Sequence, residues 1–74
     1  MVQGCILVKT VPTKVETILN EVRKMKEVEK AYIAFGRWDI VAFISVEDYR
    51  ILKTLTSNIN AIEGVRSTET LVES

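Results

Sequence analysis

The residues best suited to chemistry lie near the middle of the 74-residue chain, in Gly36-Arg37-Trp38-Asp39. A guanidinium, an indole and a carboxylate follow one another there. Asp39 is able to fix a ligand ammonium group, or to hold loop amides that in turn fix a carboxylate. Trp38, large and apolar at a hairpin tip, suits a ligand wall or a subunit interface. The plainer assignments are an Asx turn for Asp39 and an indole folded back over its own sheet for Trp38. Arg37 suits an acidic or polar ligand, and equally a solvated surface. Thr68 and Thr70, two apart, present a short ladder of hydroxyls, which ordinary β-propensity explains as well.

Enzymatic constellations are nearly absent. The chain has no histidine, so the commonest general base is missing. Cys5, the single cysteine, lies inside the apolar run Cys5-Ile6-Leu7-Val8 and reads as structural. It allows no internal disulfide, and one thiol among scattered carboxylates is a poor metal set. The three glycines lie far apart, which excludes a Gly-rich phosphate loop. No catalytic residue, cofactor or metal is therefore assigned. Ten Lys and Arg balance ten Asp and Glu, which argues against a nucleic-acid face and against a polybasic membrane surface. No apolar run approaches the ~20 residues of a membrane-spanning helix. Met1-Val2-Gln3-Gly4 has no signal-like start. A soluble, cytoplasmic protein is expected.

The elements that position these residues follow from periodicity. Residues 3–11 form an expected strand whose apolar run implies cover on both faces. Pro12 ends it. Thr13 and Glu16 have the spacing of a capping box, and Val15, Ile18, Leu19, Val22 and Met25 form one helical stripe. Residues 28–35 and 39–46 are strands flanking the central turn, a hairpin pattern. Asp48 caps a second helix with the stripe Leu52, Leu55, Ile59 and Ile62, and Gly64 suits its left-handed exit. Residues 65–72 form a last strand, with Thr68 and Thr70 on one side and Leu71 on the other.

The order βαββαβ over a single domain, residues 1–74, predicts an α+β, ferredoxin-like (split βαβ) sandwich. Its four-stranded antiparallel sheet has the first and third strands at the centre and both helices on one face. Alternation then puts Cys5, Leu7, Val41 and Phe43 on one face, and Ile6, Val8, Ile40, Ala42 and Ile44 on the other. One of these sets faces water in a monomer. A core from so short a chain supplies only about 3–5 kcal/mol. Both points predict a homodimer packed sheet to sheet, a dimeric α/β barrel.

Gly36-x-x-Asp39, then Val46-x-Asp48, then Gly64-Val65-x-x-Thr68-x-Thr70 resembles the ligand-binding (RAM) domain of the Lrp/AsnC, or feast/famine, transcription regulators. The resemblance covers essentially the whole chain. It implies a sheet-to-sheet dimer that assembles further, as a tetramer of dimers, with an amino acid or similar small effector held between dimers. By the same resemblance the ligand positions are Ile33, Gly36, Arg37, Trp38, Asp39, Tyr49, Thr68, Thr70, Leu71 and Val72. Two residues depart from the family pattern. Glu63 stands where proline is usual before Gly-Val, and Trp38 is larger than the usual Tyr or Phe.

The first strand begins almost at Met1, so a module without the family's DNA-binding helix-turn-helix is expected. The expected function is non-enzymatic: amino-acid sensing and oligomerisation. It would modulate full-length regulators by co-assembly, without direct DNA binding or membrane contact. The alternatives are a purely structural oligomerisation unit, or a small isomerase- or monooxygenase-like enzyme using the barrel of one dimer.

Overall fold

The computed structural model describes residues 1–73. Strand β1 (Val2–Thr10) is followed by a short 3-10 turn (Pro12–Lys14) and helix α1 (Val15–Arg23). Strands β2 (Val28–Ile33) and β3 (Ile40–Val46) form the hairpin, and helix α2 (Tyr49–Asn60) leads into β4 (Val65–Val72). The sheet order is β2-β3-β1-β4, antiparallel throughout, with β1 and β3 at the centre. This is the ferredoxin-like arrangement that the order of elements implies.

Register explains the core. Ile6 faces Ala42 and Val8 faces Ile40 across the β1–β3 pair, and all four side chains are buried with Ile44. Ile18, Leu19 and Val22 of α1 and Leu52, Leu55 and Ile59 of α2 close over them. The opposite face carries no helix. Its cross-strand rows are Leu71–Cys5–Phe43 and Glu69–Leu7–Val41–Tyr32. Phe43, Tyr32 and Leu71 remain exposed, and Cys5, Leu7 and Val41 only half-buried. Tyr32 meets the Phe43 ring edge-on at 6.3 Å, and the Lys30 ammonium lies 5.6 Å from the same ring centroid.

Local details differ from the periodicity reading. The Thr13–Glu16 capping box does not form. Pro12 fixes a φ that starts the 3-10 turn, closed by Lys14 N–H to the Val11 carbonyl at 2.9 Å. Thr13 is thus inside a turn and lacks the extended geometry that an N-cap requires; Lys14 takes that place without a side-chain cap. The strands flanking the hairpin end at Ile33 and resume at Ile40, so the connection is longer than Gly36–Asp39. Gly64 does have a positive φ of +99°, but it lies past the helix cap, Ala61, in the following turn. Its carbonyl accepts the Val11 amide at 2.8 Å, tying the turn before β4 to the exit of β1.

Asp48 caps α2 as its position implies. Its Oδ1 accepts the amides of Arg50 at 2.9 Å and Ile51 at 3.1 Å. Replacing it leaves orphan amides in the first turn, so Asp48→Ala should cost about 1 kcal/mol in urea unfolding. Asp48→Ser should recover most of that.

Candidate functional site

The hairpin tip is built on backbone pairing. Ala34 N–H donates to the Asp39 carbonyl at 2.8 Å, and Asp39 N–H donates to the Val8 carbonyl at 2.9 Å. The loop between Ala34 and Asp39 is therefore held at its base against both β2 and the central strand. Gly36 has φ +124°, a region that side-chain-bearing residues seldom adopt, which is why glycine stands there.

Asp39 does not close its own hairpin as an Asx turn. Its Oδ2 accepts the Thr10 amide at 2.8 Å, a contact between residues 29 positions apart. Thr10 shares with Val8 the edge of β1 that faces β3, and β3 begins only at Ile40, so the Asp39 carboxylate takes the place of a strand carbonyl for this amide. Thr10 itself is 1 % exposed, so its N–H is matched where water is scarce. Lys9 Nζ lies 3.7 Å from the same oxygen. Both partners of that ion pair are partly exposed, and it is worth roughly 0–1 kcal/mol at most.

Ile33, Gly36, Arg37, Trp38 and Asp39 sit together at this end of the sheet, beside the exit of β1. Trp38 is half-buried, whereas Arg37 and Gly36 are exposed. The residue that projects from the tip is Phe35, 97 % exposed. Sequence reasoning placed Phe35 in a strand and so missed it. The Gly36 that follows it was the only local sign that the strand had already ended.

The other residues expected to bind ligand lie elsewhere. Tyr49, the first residue of α2, is at the far end of β3, about 20 Å from the tip by strand rise. Val72 pairs with Gly4 toward that same far end. Leu71 points to the open face, opposite Cys5. Thr68 and Thr70 turn to the helix side and are engaged there. The Thr68 hydroxyl donates to Asn60 Oδ1 at 3.2 Å, and the Thr70 hydroxyl is 3.5 Å from that of Thr56. One chain therefore does not gather the ten residues around one small molecule. Any site using both the tip and Tyr49 must draw them from different chains.

A cavity of about 660 Å³ opens along α2, from Arg50 to Asn58, against the end of β3 and the turn before β2. Val46, Ile51 and Leu55 line its apolar part, with Lys26, Glu27, Glu47 and Arg50 among its charged residues. Sequence alone placed Glu47 beside the helix cap but could not bring Lys26 and Glu27 to it. Among the described residues no group of His, Cys, Asp and Glu is placed to hold a metal ion. No helix among them is long and apolar enough to cross a membrane.

Comparison with known proteins identifies the family to which this fold belongs. No curated protein sequence matches the chain significantly. Solved structures do. The chain is similar to TTHA0845 of Thermus thermophilus, with 27% identity, a TM-score of 0.95, and coverage of 100% of this chain and 94% of that one. It is similar to E. coli AsnC, with 24% identity, a TM-score of 0.90, and coverage of 97% of this chain and 50% of that one. A transcriptional regulator of Neisseria meningitidis, solved in complex with L-Met, has 18% identity and a TM-score of 0.88 over 99% of this chain and 49% of that one. Residues 3–73 match the Lrp/AsnC ligand binding domain, and the chain belongs to that family of transcription-regulator domains.

Proposed function

We propose that this chain is a non-enzymatic sensing and oligomerisation module whose effector is an amino acid or a similar zwitterion. The observation that carries the reading is the match of residues 3–73 to a regulator's ligand-binding domain. The L-Met complex of the Neisseria regulator supports the effector class, since its ligand is an amino acid and its fold is shared.

Two copies pack by their helix-free faces, which covers Phe43, Tyr32 and Leu71. The separation of the tip from Tyr49 supports an effector site between chains. Arg37 and the turn amides would address one charged group of the effector, Trp38 and Tyr49 its side chain. Asp39 would act from behind, by holding the base of the turn. The corresponding domain in full-length regulators has the same fold over 97% of this chain, so co-assembly with them through the shared face is part of the reading.

The test is a thermal-shift screen of the twenty amino acids with sedimentation in parallel. A ligand that binds only the folded form at tenfold its Kd stabilises by about 1.4 kcal/mol. The single tryptophan, Trp38, gives an independent signal, since its emission should change on binding at the tip. A flat response in melting, emission and assembly to all twenty would sink the amino-acid reading.

A further inference from the structure

We propose that the margins of the open sheet face choose its partner and the way round it docks: Lys30 and Tyr32 on the β2 margin of one copy receive Glu69 and Glu73 on the β4 margin of a second copy. The inference rests on the sheet-face dimer of the proposed function and adds what selects it. The middle of the face is apolar, with Cys5, Leu7, Val41 and Phe43, and apolar attraction is non-directional. Orientation and choice of partner must therefore come from the polar groups at the margins.

The register places those groups. Glu69 stands opposite Leu7, and Glu73 follows Leu71 by two, with its amide on the Gln3 carbonyl at 2.8 Å. Both carboxylates thus share the face of Leu7 and Leu71. On the other margin Lys30 pairs with Phe43 and Tyr32 with Val41, and the Lys30 ammonium over the Phe43 ring shows which face it takes. All four residues are exposed, and among the described residues none belongs to an ion pair. Two other charges lie on this face. Glu29, in the bulge before Lys30, lines the same trough as Glu73. Lys9, on the central strand, is held 3.7 Å from Asp39. The β2 margin is therefore balanced, Glu29 against Lys30, whereas the β4 margin is purely acidic.

Two copies packed by the same face are related by a two-fold axis between the sheets. For aligned sheets that axis runs either across the strands or along them. Across the strands, β4 lies over β4, and Glu69 and Glu73 of both copies gather along one edge. Along the strands, the order β2-β3-β1-β4 is reversed, so β4 lies over β2 of the other copy at both edges. Rows then face like rows. Tyr32 shares its row with Glu69, so its phenol meets that carboxylate of the second copy. Lys30 shares its row with Leu71, so its ammonium reaches between Glu69 and Glu73 of the second copy. Glu29 arrives at the same end, which makes Lys30 the cation that these carboxylates share. Of the two orientations, this one alone gives the acidic margin a donor and a cation. The same rule governs co-assembly: a chain without an acidic β4 margin is the poorer partner, however apolar its face.

Sedimentation equilibrium on the full chain at low salt tests it. Lys30→Glu should weaken the dimer about tenfold, and Glu69→Lys combined with Glu73→Lys should do the same, since each exposed contact is small but both edges repeat it. Both losses should shrink in about 1 M salt, where the Debye length is about 3 Å. All three substitutions in one chain set opposite charges across each edge again, and should return the Kd to within about threefold of wild type. That recovery is a result that damage to the fold of a single chain cannot produce. With β4 over β4, each reversal leaves like charges facing like, and the variants would associate as wild type does. Wild-type association by Lys30→Glu, or a triple variant no tighter than its parents, would overturn the proposal. Failure of the sheet-face reading is distinct: Phe43→Glu would then leave the mass unchanged, whatever the margin variants do.

Discussion

Phe43→Glu should convert the sheet-face dimer into single chains that remain folded. Phe43 stands in the central row of the open face, between Cys5 on β1 and Lys30 on β2. In the dimer a carboxylate there would be desolvated, at an effective cost of several kcal/mol. Each 1.4 kcal/mol is a tenfold change in Kd, so association should weaken by at least about a hundredfold. In the single chain the same carboxylate meets water and the Lys30 ammonium, which now lies 5.6 Å from the Phe43 ring centroid. The core on the other face does not contain Phe43. Sedimentation equilibrium with far-UV circular dichroism separates the cases. A variant that sediments as wild type would show that the open face is not the interface.

Asp39→Ala should destabilise the fold before it reports on any ligand. The substitution removes a charged acceptor from the amide of a residue 1 % exposed. An orphaned buried amide costs roughly 1–3 kcal/mol. A core from a chain of this length supplies about 3–5 kcal/mol, so the loss is a large fraction of the total. Asp39→Asn keeps an acceptor oxygen for Thr10 and discards only the charge and the weak Lys9 pair, so it should lose much less. Urea titrations of both variants decide the point. Equal midpoints for Asp39→Ala and wild type would show that the carboxylate is not the strut described here. For effector binding, Arg37 and Trp38 are therefore the better positions to vary, because neither has a hydrogen-bonding role in the fold comparable to that of Asp39.

The legible parts of this protein are those whose cause is local. A period of two along Ile40-Val41-Ala42-Phe43-Ile44 assigned each side chain to a face, and the structure keeps every one of those assignments. The Asp48 cap was readable because its amide partners lie two and three residues away. The order of elements and three short motifs were enough to reveal the family.

What the tertiary structure decided depends on register and strand order, which no short window contains. Asp39 looked like a turn residue, and its carboxylate instead serves an amide 29 positions earlier, on the edge of β1 beyond the start of β3. Thr13 had the right spacing for a cap and the wrong backbone, because Pro12 had already begun a turn. The expected ligand residues read as one set along the chain, yet antiparallel order sends the tip and Tyr49 to opposite ends of the sheet. The sequence by itself determined which elements form, which faces are apolar and which family this is. Folding in three dimensions decided which residues meet. It left Phe35 uncovered at one end and a largely polar cavity at the other, because side-chain patterning sets the faces of a sheet while strand order sets its ends.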